Sequence, residues 1–306
     1  MLLWFVTFYL LISIGIGLFA ATRVHNAKDF AVAGRHLPLP VVMATVFATW
    51  FGAESVFGVS ATFVKEGLHG IVADPFGTSF CLILAGIFFA TKLYKLNILT
   101  LGDYYRLRYN RTVEVLTTLC IVMSYMGWVS AQIKALGLLF NIITDGGLTV
   151  NQGMMLGAAI VLTYTTFGGM LSVAILDFVQ MGVIMGGLMY IAWIISDLTG
   201  GVAPVIAHAE AAGKLDFFPE ADPKAWLAFI GAWLTMMLGS IPQQDVFQRI
   251  TSAKSASVAI WASVLGGIIY FLYTFVPMFI AYAATLIDPI CTKSRIATDN
   301  MPPNVV

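Results

Sequence analysis

Residues 41–62 read VVMATVFATWFGAESVFGVSAT, an apolar run that is interrupted in its middle. Ala44 to Val64 is long and apolar enough to cross a bilayer, yet its centre holds Thr49, Trp50, Gly52, Glu54 and Ser55. A carboxylate beside a glycine at membrane depth is costly. It is tolerated where the backbone lines a protein-enclosed cavity instead of facing lipid. Such discontinuous helices present carbonyls and helix ends at the bilayer midplane. A chain with this feature must therefore surround the break with other spans.

The composition supplies them. Hydrophobic residues make up 59% and charged residues 10%, against about 25% charge in a soluble domain. The mean hydropathy is +0.88. The formal net charge is zero, so no electrostatic footprint for nucleic acid is present. Cys81, Cys120 and Cys291 have no metal-ligand spacing, and the first two read as packing residues. The first 22 residues lack a basic lead-in and a cleavage site, which favours a span over a signal peptide.

Eight spans are expected, at roughly 2–22, 40–62, 74–91, 113–143, 151–168, 171–197, 225–243 and 257–286. Asp74-Pro75 reads as an N-cap followed by a first-turn proline, and Pro38 and Pro40 open the second span in the same way. Gly168-Gly169 leaves almost no loop between spans five and six, and Gly182, Gly186 and Gly187 read as a helix-packing stripe. The 23–37, 92–112 and 244–256 segments are basic, whereas 198–224 is acidic on balance. The positive-inside rule makes the basic segments cytoplasmic and the N-terminus external. The chain is thus expected in the plasma membrane, with the bilayer as its surroundings.

Glu54, Lys134 and Asp177 fall within spans, where ionisable residues tend to be functional. Glu54 and Lys134 lie at similar depth, which is compatible with an ion pair acting as a clamp, a gate or half of a substrate site. Asp177 falls in the inner third of span six. Trp50 and Trp128 are either packing residues or walls of an aromatic cage for a quaternary ammonium group. A secondary transporter is the reading these residues support.

Three segments carry a family resemblance. They are ATWFGAESVFGVSATFVKEGLHG (48–70), TYTTFGGMLSVAILDFVQ (163–180) and LGSIPQQDVFQRITSAKSASVA (238–259). In order and at matching topology, they resemble the sodium:solute symporter family over nearly the whole chain to about residue 290. Within it the likeness is greatest to the high-affinity choline transporters, through Ala48 to Gly52, the Trp128…Gly137 spacing, GIFFATKLY (86–94) and MLGSIP…FQR (237–249). That likeness puts the cage reading of Trp50 and Trp128 ahead of packing. Glu54 and Lys134 depart from the choline pattern, as does Leu176 in place of a threonine. A carboxylate in the broken helix is similar to the proline branch, and a Glu54/Lys134 pair suits a zwitterion.

The resemblance implies an all-α polytopic membrane protein of the LeuT-type inverted-repeat fold. Residues 1–22 would be an extra helix, 38–197 the first five-helix repeat with its broken helix at 40–62, and 198–224 an extracellular loop. Residues 225–290 would open the second repeat, and 291–306 would be a polar tail, as in a truncated product. It also implies sodium held by carbonyls around Ala48, Thr49 and Gly52, since hard cations prefer oxygen, with Asp177 near the sodium exit. The solute would lie between Trp50, Glu54, Trp128, Gln132 and Trp233, with Lys134 as the partner of Glu54. A membrane enzyme is disfavoured: there is no HExxH, and His25, His36, His69 and His208 all fall in loops. A solute-sensing module and an inert truncated product are the rival classes.

Overall fold

The computed structural model describes residues 2–287. Cys291 and the expected polar tail lie outside the described residues. Among those described, the regular elements are all helical, and one isolated β-bridge joins Leu37 to Ala253.

Helix α1 (Leu2–Ala21) is followed by the short α2 (Ala27–Val32), whose first turn is capped by the Asn26 side chain. Helix α3 (Leu39–Trp50) starts after Pro38 and gives way to α4 (Glu54–Glu66) through a bend of 56°. Next come α5 (Leu68–Leu96), α6 (Leu101–Arg108) and α7 (Arg111–Ile143). Helix α8 (Val150–Leu198) opens on a Thr149/Gln152 capping box. Then follow α9 (Val202–Ala211), α10 (Pro223–Gly239), α11 (Gln244–Ser252) and α12 (Ala256–Ile287).

Helix α8 has 49 residues, roughly 73 Å if straight, more than twice a bilayer core. It is not straight. Gly169 leaves the helical region (φ 50°, ψ −143°). A Cβ built on Gly17 of α1 would lie 2.6 Å from Tyr164 Cβ and 3.3 Å from Leu176 Cδ1. Those two residues flank Gly169 and would stand about 18 Å apart on a straight helix, so the chain folds back at the glycine. Among the described residues, five helices are long and apolar enough to cross a membrane, or seven if each bent pair counts as one span. Counting the halves of α8 separately reaches the eight spans suggested by hydropathy.

Three readings need correction. The 198–224 segment is not simply a loop: α9 forms within it and buries Val205 and Ala209 against Phe63, Met278 and Tyr282. The 244–256 segment contains α11, bent 43° from α10, whose apolar face buries Val246, Phe247 and Ile250. Its polar face depresses local hydropathy, which hid the helix. Gly182, Gly186 and Gly187 are no packing stripe, because a Cβ at each would meet nothing within 4 Å. Close helix approach occurs instead between α7 and α8, where a Cβ on Gly137 would stand 2.6 Å from the Val150 carbonyl oxygen.

The core runs under the break. Phe47 stacks on Phe51 at 4.8 Å, and Tyr270 and Tyr273 of α12 meet them edge-on. Ser172, fully buried beyond the α8 turn, donates a 2.6 Å hydrogen bond to the Gly17 carbonyl and ties the hairpin to α1. Ser172→Ala should cost about 1 kcal/mol, which thermal unfolding in detergent would read as a melting point lowered by roughly 2–4 °C.

Candidate functional cavity

The break follows from backbone accounting. Phe51 leaves the helical region (φ −87°, ψ 78°), and the Gly52 N–H bonds the Trp50 carbonyl instead of that of Ala48. Among the described residues, the carbonyls of Ala48 and Thr49 receive no backbone N–H, whereas that of Gly52 accepts from Val56. Unpaired carbonyls of this kind are the groups a hard cation can use. Thr49 Oγ1 donates to the Thr45 carbonyl at 2.5 Å, and Thr45 Oγ1 donates to the Asp177 carboxylate. Asp177 is thereby joined to the helix that breaks.

A cavity of about 780 Å³ opens beside the break. Thr49, Trp50, Gly52 and Glu54 form one wall, with Asp74 of α5 beside them. Helix α7 contributes Tyr125, Trp128 and Gln132, spaced three and four apart on one face. Trp128 meets Tyr125 edge-on, with ring centres 6.4 Å apart. A Cβ on Gly52 would stand 3.2 Å from Gln132 Oε1, so the glutamine amide sits against the break.

Lys134 does not border the cavity and is exposed. The expected Glu54–Lys134 ion pair is absent. Among the described residues, the ion pair within 4 Å is Arg106–Glu114, at 3.8 Å. The stretch of α7 that borders the cavity runs from Ile121 to Gln132, and Lys134 lies beyond its end. Trp233 also lies off the wall, packed edge-on against Phe80 and Phe229. Neither Ala48, packed against the buried Phe47 cluster, nor Asp177 borders it.

Helix α11 brings residues not expected from sequence: Asp245, Gln248 and Arg249. The Tyr125 hydroxyl donates to Asp245 Oδ1 at 2.6 Å and so links α7 to α11. Arg249 Nε is buried and has no hydrogen-bond partner among the described residues. The spacing of 125, 128 and 132 was a usable signal for Tyr125. The residues of α11 were hidden because their segment read as a loop, and Asp74 because it read as a helix cap. The wall thus carries three carboxylates, Glu54, Asp74 and Asp245, against one guanidinium. A cavity of that charge with tryptophan faces favours a cationic guest and repels an anionic one.

The family model for the sodium:solute symporter family matches residues 30–306. A high-affinity choline transporter of Torpedo marmorata is 31% identical over 94% of this chain and 50% of its own length. The human high affinity choline transporter 1 is 30% identical over 83% of this chain and 45% of its own. The human sodium-coupled monocarboxylate transporter 1 is 26% identical over 84% of this chain and 43% of its own. Among solved structures, a Na+-coupled sialic acid symporter in a substrate-bound outward-open state matches with a TM-score of 0.82. It does so at 18% identity over all of this chain and 64% of that one. That likeness shows the fold, the LeuT-type arrangement of helices. The chain spans about half the length of the curated relatives it matches.

Proposed function

Since the chain belongs to the sodium:solute symporter family, we propose that its cavity serves sodium-coupled symport of a small organic cation, choline or a similar quaternary ammonium. The observation that carries this reading is the wall itself: Trp50 and Trp128 with Glu54, Asp74 and Asp245, and without Lys134. The trimethylammonium group would face the tryptophans, and Glu54 would balance its charge. Gln132 would offer its amide to a hydroxyl.

Sodium would bind at the break, on the carbonyls of Ala48 and Thr49 beside Gly52, with Asp177 on its path. Binding there would order the junction of α3 and α4, which shapes the solute site, so each ligand raises the affinity of the other. The protein would lie in the plasma membrane with its N-terminus outside.

A second reading rests on Arg249, whose guanidinium borders the same cavity. Glu54 and Arg249 could hold a zwitterion such as proline between them.

Equilibrium binding of labelled choline and labelled proline, in nanodiscs with sodium or potassium, separates the two readings. Choline should bind in sodium, and Glu54→Gln should weaken it roughly tenfold or more, while Lys134→Ala leaves it unchanged. Proline binding without choline binding would favour the second reading. Unaltered choline affinity in Glu54→Gln would remove Glu54 from the site.

A further inference from the structure

Asp74 has the sequence context of a helix cap but does not act as one. Its backbone is extended (φ −139°, ψ 120°) and Pro75 follows it, but among the described residues no backbone N–H of the following turn donates to its side chain. Oδ1 lies instead 2.6 Å from the Tyr270 hydroxyl of α12. That hydroxyl lies 2.7 Å from Ser55 Oγ of α4, and Ser55 Oγ lies 2.9 Å from the Trp50 carbonyl oxygen. Ser55 and Tyr270 are each 0% exposed, so water cannot replace a missing partner. Asp74 borders the cavity, which connects its carboxyl to solvent.

Counting protons distinguishes two states of this chain of contacts. Three contacts need three donated protons, and the Trp50 carbonyl only accepts. The two hydroxyls supply two. With Asp74 ionised, Tyr270 donates to the carboxylate in the stronger, charge-assisted bond. Ser55 then has one proton for two acceptors, and one contact lapses. With a proton on Asp74 the chain is complete and runs one way, from Asp74 to Tyr270 to Ser55 to Trp50.

We propose that Asp74 is a proton-binding site, and that Tyr270 and Ser55 relay its occupancy to the broken helix at Trp50. All three contacts lie within hydrogen-bond distance here. Loss of the proton frees either the Trp50 carbonyl or the Ser55–Tyr270 link, and adds a negative charge to the cavity wall. A proton on Asp74 and a cation in the cavity therefore oppose one another, and each lowers the affinity for the other by the same factor. The cavity would thus handle a proton in addition to its solute, whichever solute that is.

The neighbouring ionisable groups are few. Glu54 of α4, with Asp245 and Arg249 of α11, shares the cavity. Helix α12 has no charged residue and presents Tyr270. Helix α10 carries Lys224, exposed in its first turn, and His69 is exposed on the segment leading to Asp74.

The test is infrared titration of the chain in nanodiscs, following the C=O stretch of protonated carboxyl groups. One titrating band should vanish in Asp74→Asn and persist in Glu54→Gln. Ser55→Ala removes the acceptor that completes the proton-bound chain, so the midpoint should fall. Tyr270→Phe removes the donor to the ionised carboxylate, so the midpoint should rise. Each shift should be roughly 0.7 pH unit, the equivalent of one hydrogen bond of about 1 kcal/mol. Should Asp74→Asn not fold, the opposite shifts of the other two variants decide alone. A band that survives Asp74→Asn, or midpoints that move together or not at all, would overturn the proposal.

Discussion

Gly169→Val should leave little folded protein. The residue sits at φ 50°, ψ −143°, where a side chain is strained whatever space surrounds it. There is also no space: a Cβ would stand 2.4 Å from the Phe30 carbonyl oxygen and 2.7 Å from Phe30 Cδ2. Backbone strain of this kind costs about 1–3 kcal/mol, and overpacking a further 1–3 kcal/mol or so. Relief would require moving α2 or opening the hairpin, and the hairpin sets the register of both halves of α8 against α1. The sum, about 4 kcal/mol, is a large share of a marginal stability of about 5–15 kcal/mol. Gly182→Ala is the matched control. It lies on the same helix, faces open space, and should gain about 0.5–1 kcal/mol from helix propensity. Thermal unfolding in detergent, with size-exclusion profiles before heating, reads both. A Gly169→Val protein melting with the parent would show that the turn is not the constraint it is taken to be.

The same glycine shows what a sequence can disclose. Gly168-Gly169 between two apolar runs could be read as a turn because backbone freedom is a local property. The break at Trp50 to Glu54 was legible for a similar reason, since polar and small residues stand out within an apolar run. Tertiary choices were not legible. Asp74 before Pro75 satisfies the local rule for a cap, and nothing in the linear pattern shows Tyr270 arriving from a helix nearly two hundred residues later to take the carboxylate. Helix α11 failed in the opposite way: its polar face lines a cavity, so hydropathy reported a loop. Lys134 shows the limit of an argument from depth alone: the stretch of α7 that lines the cavity ends at Gln132, and Lys134 is exposed beyond it. Hydropathy therefore located spans, while the walls of the site depended on contacts between distant segments.

Trp50→Ala should reduce choline affinity by about thirtyfold, and the loss should follow charge rather than shape. A desolvated cation over an indole face gains about 2 kcal/mol or more, which corresponds to a factor of roughly 30 in affinity. Area burial alone would act equally on a neutral guest of the same form. The discriminating pair is choline against its uncharged carbon isostere, 3,3-dimethylbutanol. The parent chain should prefer choline, and Trp50→Ala should erase most of that preference, with Trp50→Phe in between because a smaller ring keeps a weaker face. Trp50 also packs against two buried clusters around α3, so a loss of affinity could reflect a loosened helix. Trp128 resolves this. It is 43% exposed on α7, where truncation should cost little stability while removing the second aromatic face. If Trp128→Ala melts with the parent yet loses the preference for choline over the isostere, the tryptophans act on the cation itself. If both variants keep that preference, the two rings are packing residues, and the selectivity of the cavity must come from Glu54, Asp74 and Asp245 alone.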